Sequence, residues 1–368
     1  MLLCTDSLRP QAVAALNSEV HLLVYETDKT LASSNNLLTT EVAGLHAKVV
    51  GQGQTFAGFG SKYEAVLPAL EELDASAITV VSDGRDVLLN HAVHYSDSVS
   101  SFVEAFEKMT SGQPGAVILS AEAQCCVSAL THSVPGELFG EDGQRTGRAC
   151  YSGKKGCFWN GDDKALPWES FMQDTAKESG AAGREDVYLN AGLMVGRASD
   201  LMRVIKAADI SEDEDDQAVL TDFMYSNPGQ IILDYNQEMF GNNRATCMFE
   251  LSENHLVHKQ TRTTPLFVHT PGGSSTCHVE LMAELGQKTM SKTAKRRLSS
   301  WKDSTANYNE CDDGLKMVSG YCVAAWCNYD YQCPENSTRK PDRDCYNNYW
   351  DCECDDGYFL KRRVCVKH

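Results

Sequence analysis

The run Ile78-Thr-Val-Val-Ser-Asp83-Gly-Arg-Asp86-Val-Leu-Leu89 constrains the fold more than any other part of this chain. Its β-branched apolar start shows no alternation. It therefore reads as a strand covered on both faces, the pattern of a parallel sheet between helix layers. The run breaks off at two carboxylates three residues apart. Ligands in open α/β sheets gather at the carboxyl ends of the strands, which is where Asp83 and Asp86 fall. Two hard oxygen ligands there suit a divalent cation, which in turn suits a diphosphate. The competing reading is a turn at Asp83 with Asp86 capping the next element. An Asp-x-x-Asp pattern is too short to choose between them.

The neighbouring segments repeat the arrangement. His21–Tyr25 reads as a first strand ending at Glu26-Thr-Asp28, and Ala47–Val50 as a second ending at Gly51-Gln-Gly-Gln54. Residues 62–74 carry apolar positions at helical spacing, and Ala116–Leu119 is a further strand ending at Ser120-Ala-Glu122. From about residue 20 to 285, strand-like runs alternate with helical patterns, which predicts an α/β domain. Four strand ends would then deliver polar residues to one edge.

Three further pieces carry chemistry. Ser211-Glu-Asp-Glu-Asp-Asp-Gln217 precedes an apolar helical pattern. Ser211 is a candidate N-cap, and acids in a first turn suit the helix dipole. Alternatively, Asp215 and Asp216 bind a sugar's hydroxyls or stabilise charge at an anomeric carbon. In Pro265-Leu-Phe-Val-His269-Thr-Pro-Gly-Gly273 a strand ends in a ligand-type imidazole, which with two carboxylates makes an N/O shell suited to manganese. A structural histidine is the other reading. Val187-Tyr-Leu-Asn190-Ala-Gly192-Leu-Met-Val-Gly196 sets a polar Asn and a Gly at the head of an apolar segment, as in a pocket floor. Gly51-x-Gly53 with Gly58 and Gly60 lacks the spacing and the acidic residue of a dinucleotide loop.

A formal net charge of −18 argues against a general nucleic-acid binder. No apolar run reaches the roughly 18 residues a membrane span needs. The start, Met1-Leu-Leu-Cys-Thr-Asp6, has no basic region and an interrupted apolar core, so no leader is expected in this sequence. Either the protein is cytosolic or the sequence is a mature or trimmed form. Cysteine usage separates these. Of 15 Cys, eight (Cys311, Cys322, Cys327, Cys333, Cys345, Cys352, Cys354 and Cys365) crowd into the last 58 residues, a density typical of disulfide frameworks. A zinc module is the weaker rival, because no His lies among them and paired Cys-x-x-Cys knuckles are missing. The sequon Asn336-Ser-Thr338 agrees with an oxidising, secretory setting. The expected organisation is a domain over 1–285, a basic linker over 286–310 and a Cys-rich module over 311–368.

Together these pieces, in this order, resemble the glycosyltransferase domain of the procollagen lysyl hydroxylase family. The resemblance runs from about His21 to Gly273, roughly two thirds of the chain. It rests on Val24-Tyr-Glu-Thr27, Val49-Val-Gly51-Gln52-Gly, Val81-Ser-Asp83-Gly-Arg-Asp86-Val, Leu119-Ser-Ala-Glu122, Leu189-Asn190-Ala-Gly192-Leu-Met-Val-Gly196, Asp213-Glu-Asp215-Asp216-Gln217 and Val268-His269-Thr-Pro-Gly272. It implies a GT-A type α/β fold that uses Mn²⁺ and a UDP-sugar, with Asp83, Asp86 and His269 as metal ligands. Thr27, Gln52, Lys62, Arg85 and Gly272 would face the donor nucleotide. Glu122, Asn190, Gly192, Asp215, Asp216 and Gln217 would surround the transferred sugar, the three carboxylates carrying the catalysis. The implied partners are a UDP-hexose (galactose or glucose) and a protein or glycan acceptor, such as a collagen-like hydroxylysine, in the secretory pathway. Arg85 stands where the family has Tyr, and Cys126 lies where it has an aromatic. These departures keep a second reading open, a weak or inactive transferase domain serving as a secreted binding protein. The closing Cys352-Glu-Cys354-Asp-Asp-Gly-Tyr358 with Cys365 resembles the end of an EGF-like module.

Overall fold

The computed structural model describes residues 19–28, 37, 42–90, 98–123, 136, 138–140, 142, 144–149, 165–243, 247–252, 255–271, 277, 278, 281 and 285, and the backbone of short strands between 315 and 367. Its centre is a six-stranded sheet built from β1 (Val20–Tyr25), β2 (Leu45–Val50), β3 (Ile78–Asp83), β5 (Val117–Glu122), β6 (Tyr188–Arg197) and β7 (Ile231–Asp234). The strand order is β2-β1-β3-β6-β5-β7. β1 pairs in parallel with β2 and β3, and β5 with β7. β6 runs antiparallel between β3 and β5. The strand expected from the 78–83 pattern is therefore parallel to one neighbour only. Strands other than β6 point their carboxyl ends to the same edge.

Alternate residues of β1, β3, β5 and β6 enter opposite apolar layers, which explains the missing polar alternation. Leu23, Val81, Leu119 and Met194 face helices α1 (Ser61–Glu71), α3 (Ala165–Glu178), α4 (Ala198–Ala208) and α5 (Asp216–Ser226). Leu22, Val24, Val80 and Ile118 face α2 (Ser98–Thr110). The α2 face is closed by a second sheet of β4 (Val87–Leu89), β8 (Phe240–Asn242) and β11 (Phe267–His269), in the order β4-β11-β8. Phe102 sits edge-on to Phe240 and Phe267, with centroids 6.0 and 5.5 Å away, a favoured aromatic geometry.

A third apolar cluster joins Leu88 and Val268 to Phe249 of β9 (Phe249–Ser252), Leu256 of β10 (His255–His258), Leu281 and Leu285. A disulfide between Cys247 and Cys277 closes a loop of 30 residues around it. In the chain-entropy picture such a closure stabilises by about 3 to 4 kcal/mol. Beyond residue 310 the described backbone forms three antiparallel pairs. These join β12 (Leu315–Val318) to β13 (Tyr321–Ala324), β14 (Ser337–Arg339) to β15 (Cys352–Cys354), and β16 (Tyr358–Lys361) to β17 (Val364–Lys367). The basic stretch 286–310 lies outside the described residues.

The joint between the two sheets is a buried carboxylate. Asp234, at the end of β7, accepts backbone N–H bonds from Glu238, Met239 and Phe240 at 3.0, 2.7 and 2.9 Å. Asn242 then donates to the Ala121 carbonyl at 2.8 Å, tying β8 to β5. Asp234→Ala leaves three amides without their acceptor. It is expected to cost at least about 3 kcal/mol, seen as a lower urea midpoint in equilibrium unfolding.

Candidate functional site

At the carboxyl edge of the sheet, β6 departs from regular pairing. Leu119 opposes Met194 but Ser120 opposes Asn190, so Ala191, Gly192 and Leu193 bulge from the β5 side. Such bulges re-aim side chains at the rim of a sheet. The freed backbone groups are taken up by polar side chains. Lys62 donates to the Ala191 carbonyl at 2.9 Å, Ala191 N–H meets the Gln217 amide oxygen at 3.4 Å, and Gly192 N–H meets Asn190 Oδ1 at 2.9 Å.

Lys62, on α1, is 3% exposed. Its ammonium lies 3.0 Å from Asp83 Oδ1 and 2.9 Å from Asp216 Oδ2. The Tyr63 hydroxyl donates to the same Asp216 oxygen at 3.0 Å. Burial works to lower the Lys62 pKa, but the charges of Asp216 and Asp83 outweigh it and hold the group well above its usual value. Lys62 thus joins α1, β3, the β6 bulge and the start of α5.

The second sheet supplies the other half. β4 and β11 are antiparallel with Val87 opposite His269, so Asp86, one residue before Val87, falls beside the imidazole. Thr270 fixes that register by donating its N–H and its hydroxyl to the Asp86 carbonyl, each at 2.8 Å. Because the Thr270 hydroxyl has given its hydrogen away, it accepts from His278 Nδ1 at 2.7 Å. His269 Nε2 lies 3.3 Å from Asp86 Oδ2. Single ligand atoms of Asp83, Asp86 and His269 all fall within 4.8 Å of one another. Both carboxylates are 37% exposed, whereas the imidazole is 3% exposed. Its Nδ1 is buried with no hydrogen-bond partner among the described residues. Burial opposes protonation of His269, but the charge and hydrogen bond of Asp86 prevail and its pKa is raised. Gly192 is a glycine for a steric reason: a Cβ there would lie 2.9 Å from both ring nitrogens.

A third group sits between β5 and α5. Gln217 donates to Glu122 Oε1 at 2.8 Å, and Ser120 donates to the Asn190 carbonyl at 3.2 Å. Burial pushes the Glu122 carboxyl up to about 7, against the pull of Gln217 and His269. Asp215 is also pushed up to about 7, by burial and then by the adjacent Asp216 charge. Asp215, and not Ser211, caps α5: its Oδ1 accepts from Ala218 N–H at 3.1 Å, while the Ser211 N–H is bound by Glu214. The cap moves because Ser211 through Glu214 form a turn of their own ahead of the helix. Asp215 Oδ2 is left buried without a hydrogen bond among the described residues.

The structure therefore brings Lys62, Asp83, Asp86, Glu122, Asn190, Gly192, Asp215, Asp216, Gln217 and His269 to one sheet edge. Thr27 and Gln52 lie on the loops after β1 and β2, which are joined by a Gly53 N–H bond to the Thr27 carbonyl at 2.9 Å. Arg85 is spoken for: its Nη2 donates to the buried Glu26 at 2.9 Å and its Nε at 3.1 Å. Gly272 and Cys126 lie outside the described residues. Sequence reasoning missed Glu26, Tyr63 and Thr270. Glu26 alone had a signal, as an acid at the first strand end. The carboxylates of Glu26, Asp83, Asp86 and Asp216, with Glu122 and Asp215 only partly ionised at about pH 7, face two permanent cations, Lys62 and Arg85, and the imidazoles of His269 and His278. Such an imbalance favours binding of a further cation.

Residues 173–294 match the family of the PLOD GT domain. That match supports the glycosyltransferase domain of the lysyl hydroxylase family over the segment holding α5 and His269, while Asp83 and Asp86 precede it. No curated protein matches the chain. Among solved structures, it is similar to a glycosyltransferase involved in the glycosylation of the major capsid of PBCV-1, at 12% identity over 72% of this chain and 98% of that one, TM-score 0.39. It is also similar to the galactosyltransferase LgtC in complex with donor and acceptor sugar analogues, at 12% identity over 75% and 99%, TM-score 0.32. A third is mouse xyloside xylosyltransferase 1, at 11% identity over 70% and 86%, TM-score 0.31.

The raised Glu122 carboxyl has a consequence for stability. Below its ordinary value of 4.5 its contribution is fully present, and it is lost as pH rises through about 7, because the folded state holds the proton more tightly. Urea unfolding at pH 5 and pH 8 is expected to show a loss on the order of 2 kcal/mol in the parent beyond that in Glu122→Gln. Equal losses in both proteins would mean the carboxyl is not raised.

Proposed function

We propose that this protein is a UDP-sugar-dependent hexosyltransferase that requires Mn²⁺ and glycosylates a hydroxyl of a protein or glycan. The observation that carries the reading is the convergence of Asp83, Asp86 and His269, from two sheets, within 4.8 Å at the edge where ligands of such folds collect. The residues fit a divalent metal in kind. Two hard oxygens and an imidazole make a mixed donor set that manganese accepts, the buried His269 Nδ1 is unsatisfied, and the surrounding charge is in negative excess. Asp83, Asp86 and His269 would hold the ion. When bound, it supplies Lewis-acid stabilisation of the diphosphate leaving group.

The chain's own groups then divide the remaining work. Lys62 keeps one oxygen of Asp83 engaged and leaves the other free. Asn190 and Gln217 offer amides to the hydroxyls of the transferred hexose, and Gly192 makes room for the His269 ring beside them. Asp216 is held by Lys62 and Tyr63, so its charge stabilises the anomeric carbon electrostatically while its oxygens stay in place. Glu122, with a carboxyl near 7, is suited to accept a proton near neutral pH. In the transfer, the bond between the anomeric carbon and the diphosphate oxygen breaks, UDP keeps the electron pair, and the acceptor oxygen takes its place. The acceptor's proton passes to Glu122. Arg85, paired with Glu26, would close the donor side beside Thr27 and Gln52. The secretory lumen is the matching setting, with 1–285 as the transferase domain and 311–368 as an appended Cys-rich module. Among the described residues no helix is long and apolar enough to cross a membrane.

Calorimetry of UDP binding with and without Mn²⁺, together with hydrolysis of a panel of UDP-sugars, tests this. Asp86→Ala is expected to lower metal-dependent UDP affinity at least about 100-fold, given that even outer-shell changes at metal sites cost 10–100-fold. Metal-dependent binding that survives the substitution would refute the ligand set. No UDP binding by the parent would leave the non-catalytic binding protein as the better reading. Asp216→Asn is expected to reduce transfer at least tenfold while UDP affinity changes less than threefold. An equal loss of both would make Asp216 a structural partner of Lys62 and Tyr63 only.

A further inference from the structure

Resting on that donor-site reading, we propose that the groove between α3 and the entry to β6 is the acceptor site, and that it takes a neutral sugar chain. The groove has a volume of about 620 Å³, within the range of small-molecule sites. Ala123 and Tyr188 are among its lining residues. Ala123 follows Glu122 directly, and Tyr188 is the cross-strand partner of Glu122 in the β5–β6 register. The groove therefore lies beside the strand end that carries Glu122, the carboxylate assigned to receive the acceptor's proton.

The lining fits carbohydrate rather than an ion or a nucleotide. Asp174 and Glu185 are matched by Lys177 and Arg184, so the walls carry no net charge. Asp174 and Lys177 are exposed and offer acceptors and donors to ring hydroxyls. Gln173 donates to the Tyr188 hydroxyl at 3.2 Å, which anchors the phenol ring in the lining as a flat surface for a pyranose face. Small residues, among them Ala176, Ala181 and Gly183, leave the floor open. The walls are braced from behind. Ala181 N–H bonds the Ala176 carbonyl at 2.7 Å, closing α3, and Arg184 bonds Asn236 at 2.7 Å.

Saturation-transfer NMR on the full chain, with lactose, maltose and cellobiose as probes, reads the groove directly. Calorimetry with UDP and Mn²⁺ on the same samples reads the donor site. At least one neutral disaccharide is expected to bind the parent. Asp174→Ala with Lys177→Ala should weaken it at least fivefold, and Ala182→Trp, which fills the exposed lip, at least tenfold. UDP affinity should move less than twofold in each. Tyr188→Ala is a harsher variant because its ring also packs on the core, so Ala182→Trp decides if that protein melts early. Disaccharide binding indifferent to Ala182→Trp, absence of binding by all three probes, or binding confined to a sulfated disaccharide would each overturn the groove assignment. Loss of metal-dependent UDP binding in the parent would overturn the donor reading instead, so the two failures are distinct.

Discussion

The ammonium group of Lys62 is the point on which this architecture turns. A buried lysine is tolerated only when opposite charge and good hydrogen-bond geometry offset several kcal/mol of lost hydration. Here the compensation comes from Asp83, Asp216 and the Ala191 carbonyl, which belong to three different elements. None can shift without stranding a charge in the interior. The end of β3, the start of α5 and the β6 bulge are thereby held in one mutual position, which a loose collection of surface acids could not achieve.

The second sheet meets that arrangement through backbone register. His269 and Asp86 are neighbours because β4 and β11 pair with Val87 opposite His269, and Thr270 ties the Asp86 carbonyl. A slip of one residue would turn His269 to the other face of the sheet. The apolar side chains of β4 and β11 are packed into separate clusters, Leu89 and Phe267 with α2 and Leu88 and Val268 with Phe249, so such a slip would also expose them. Core packing and site geometry are in this sense one constraint.

Much of this was legible in the sequence, for identifiable reasons. Strands at 20–25, 78–83 and 117–122 announce themselves because both sheet faces are covered and polar residues begin where cover ends, whereas the edge strand at 45–50 is largely exposed. The grouping of Asp83, Asp86 and His269 was legible through family resemblance, since spacing alone left each with a structural reading. Direction was not legible: the 187–196 run is as apolar as a parallel strand, and nothing local marks β6 as reversed or its bulge at Ala191–Leu193. The cap of α5 was misplaced because Ser211 and Asp215 are equally good capping chemistry, and only the turn before the helix decides between them. The Arg85–Glu26 pair and the burial of Lys62 depend on contacts 59 and 21 or more residues away, which no local pattern encodes.

The reversal of β6 also bears on how such a chain can diverge. Parallel strands reach the site by their tails, so their connecting loops are bound to it. β6 alone enters by its head and brings along the segment 179–187, which shapes the groove while Lys62, Asp83 and His269 are held by other elements. Insertions and substitutions in that exposed segment are the kind a fold absorbs readily. Changes in that segment can therefore reshape the groove without disturbing the elements locked together by the buried charge of Lys62.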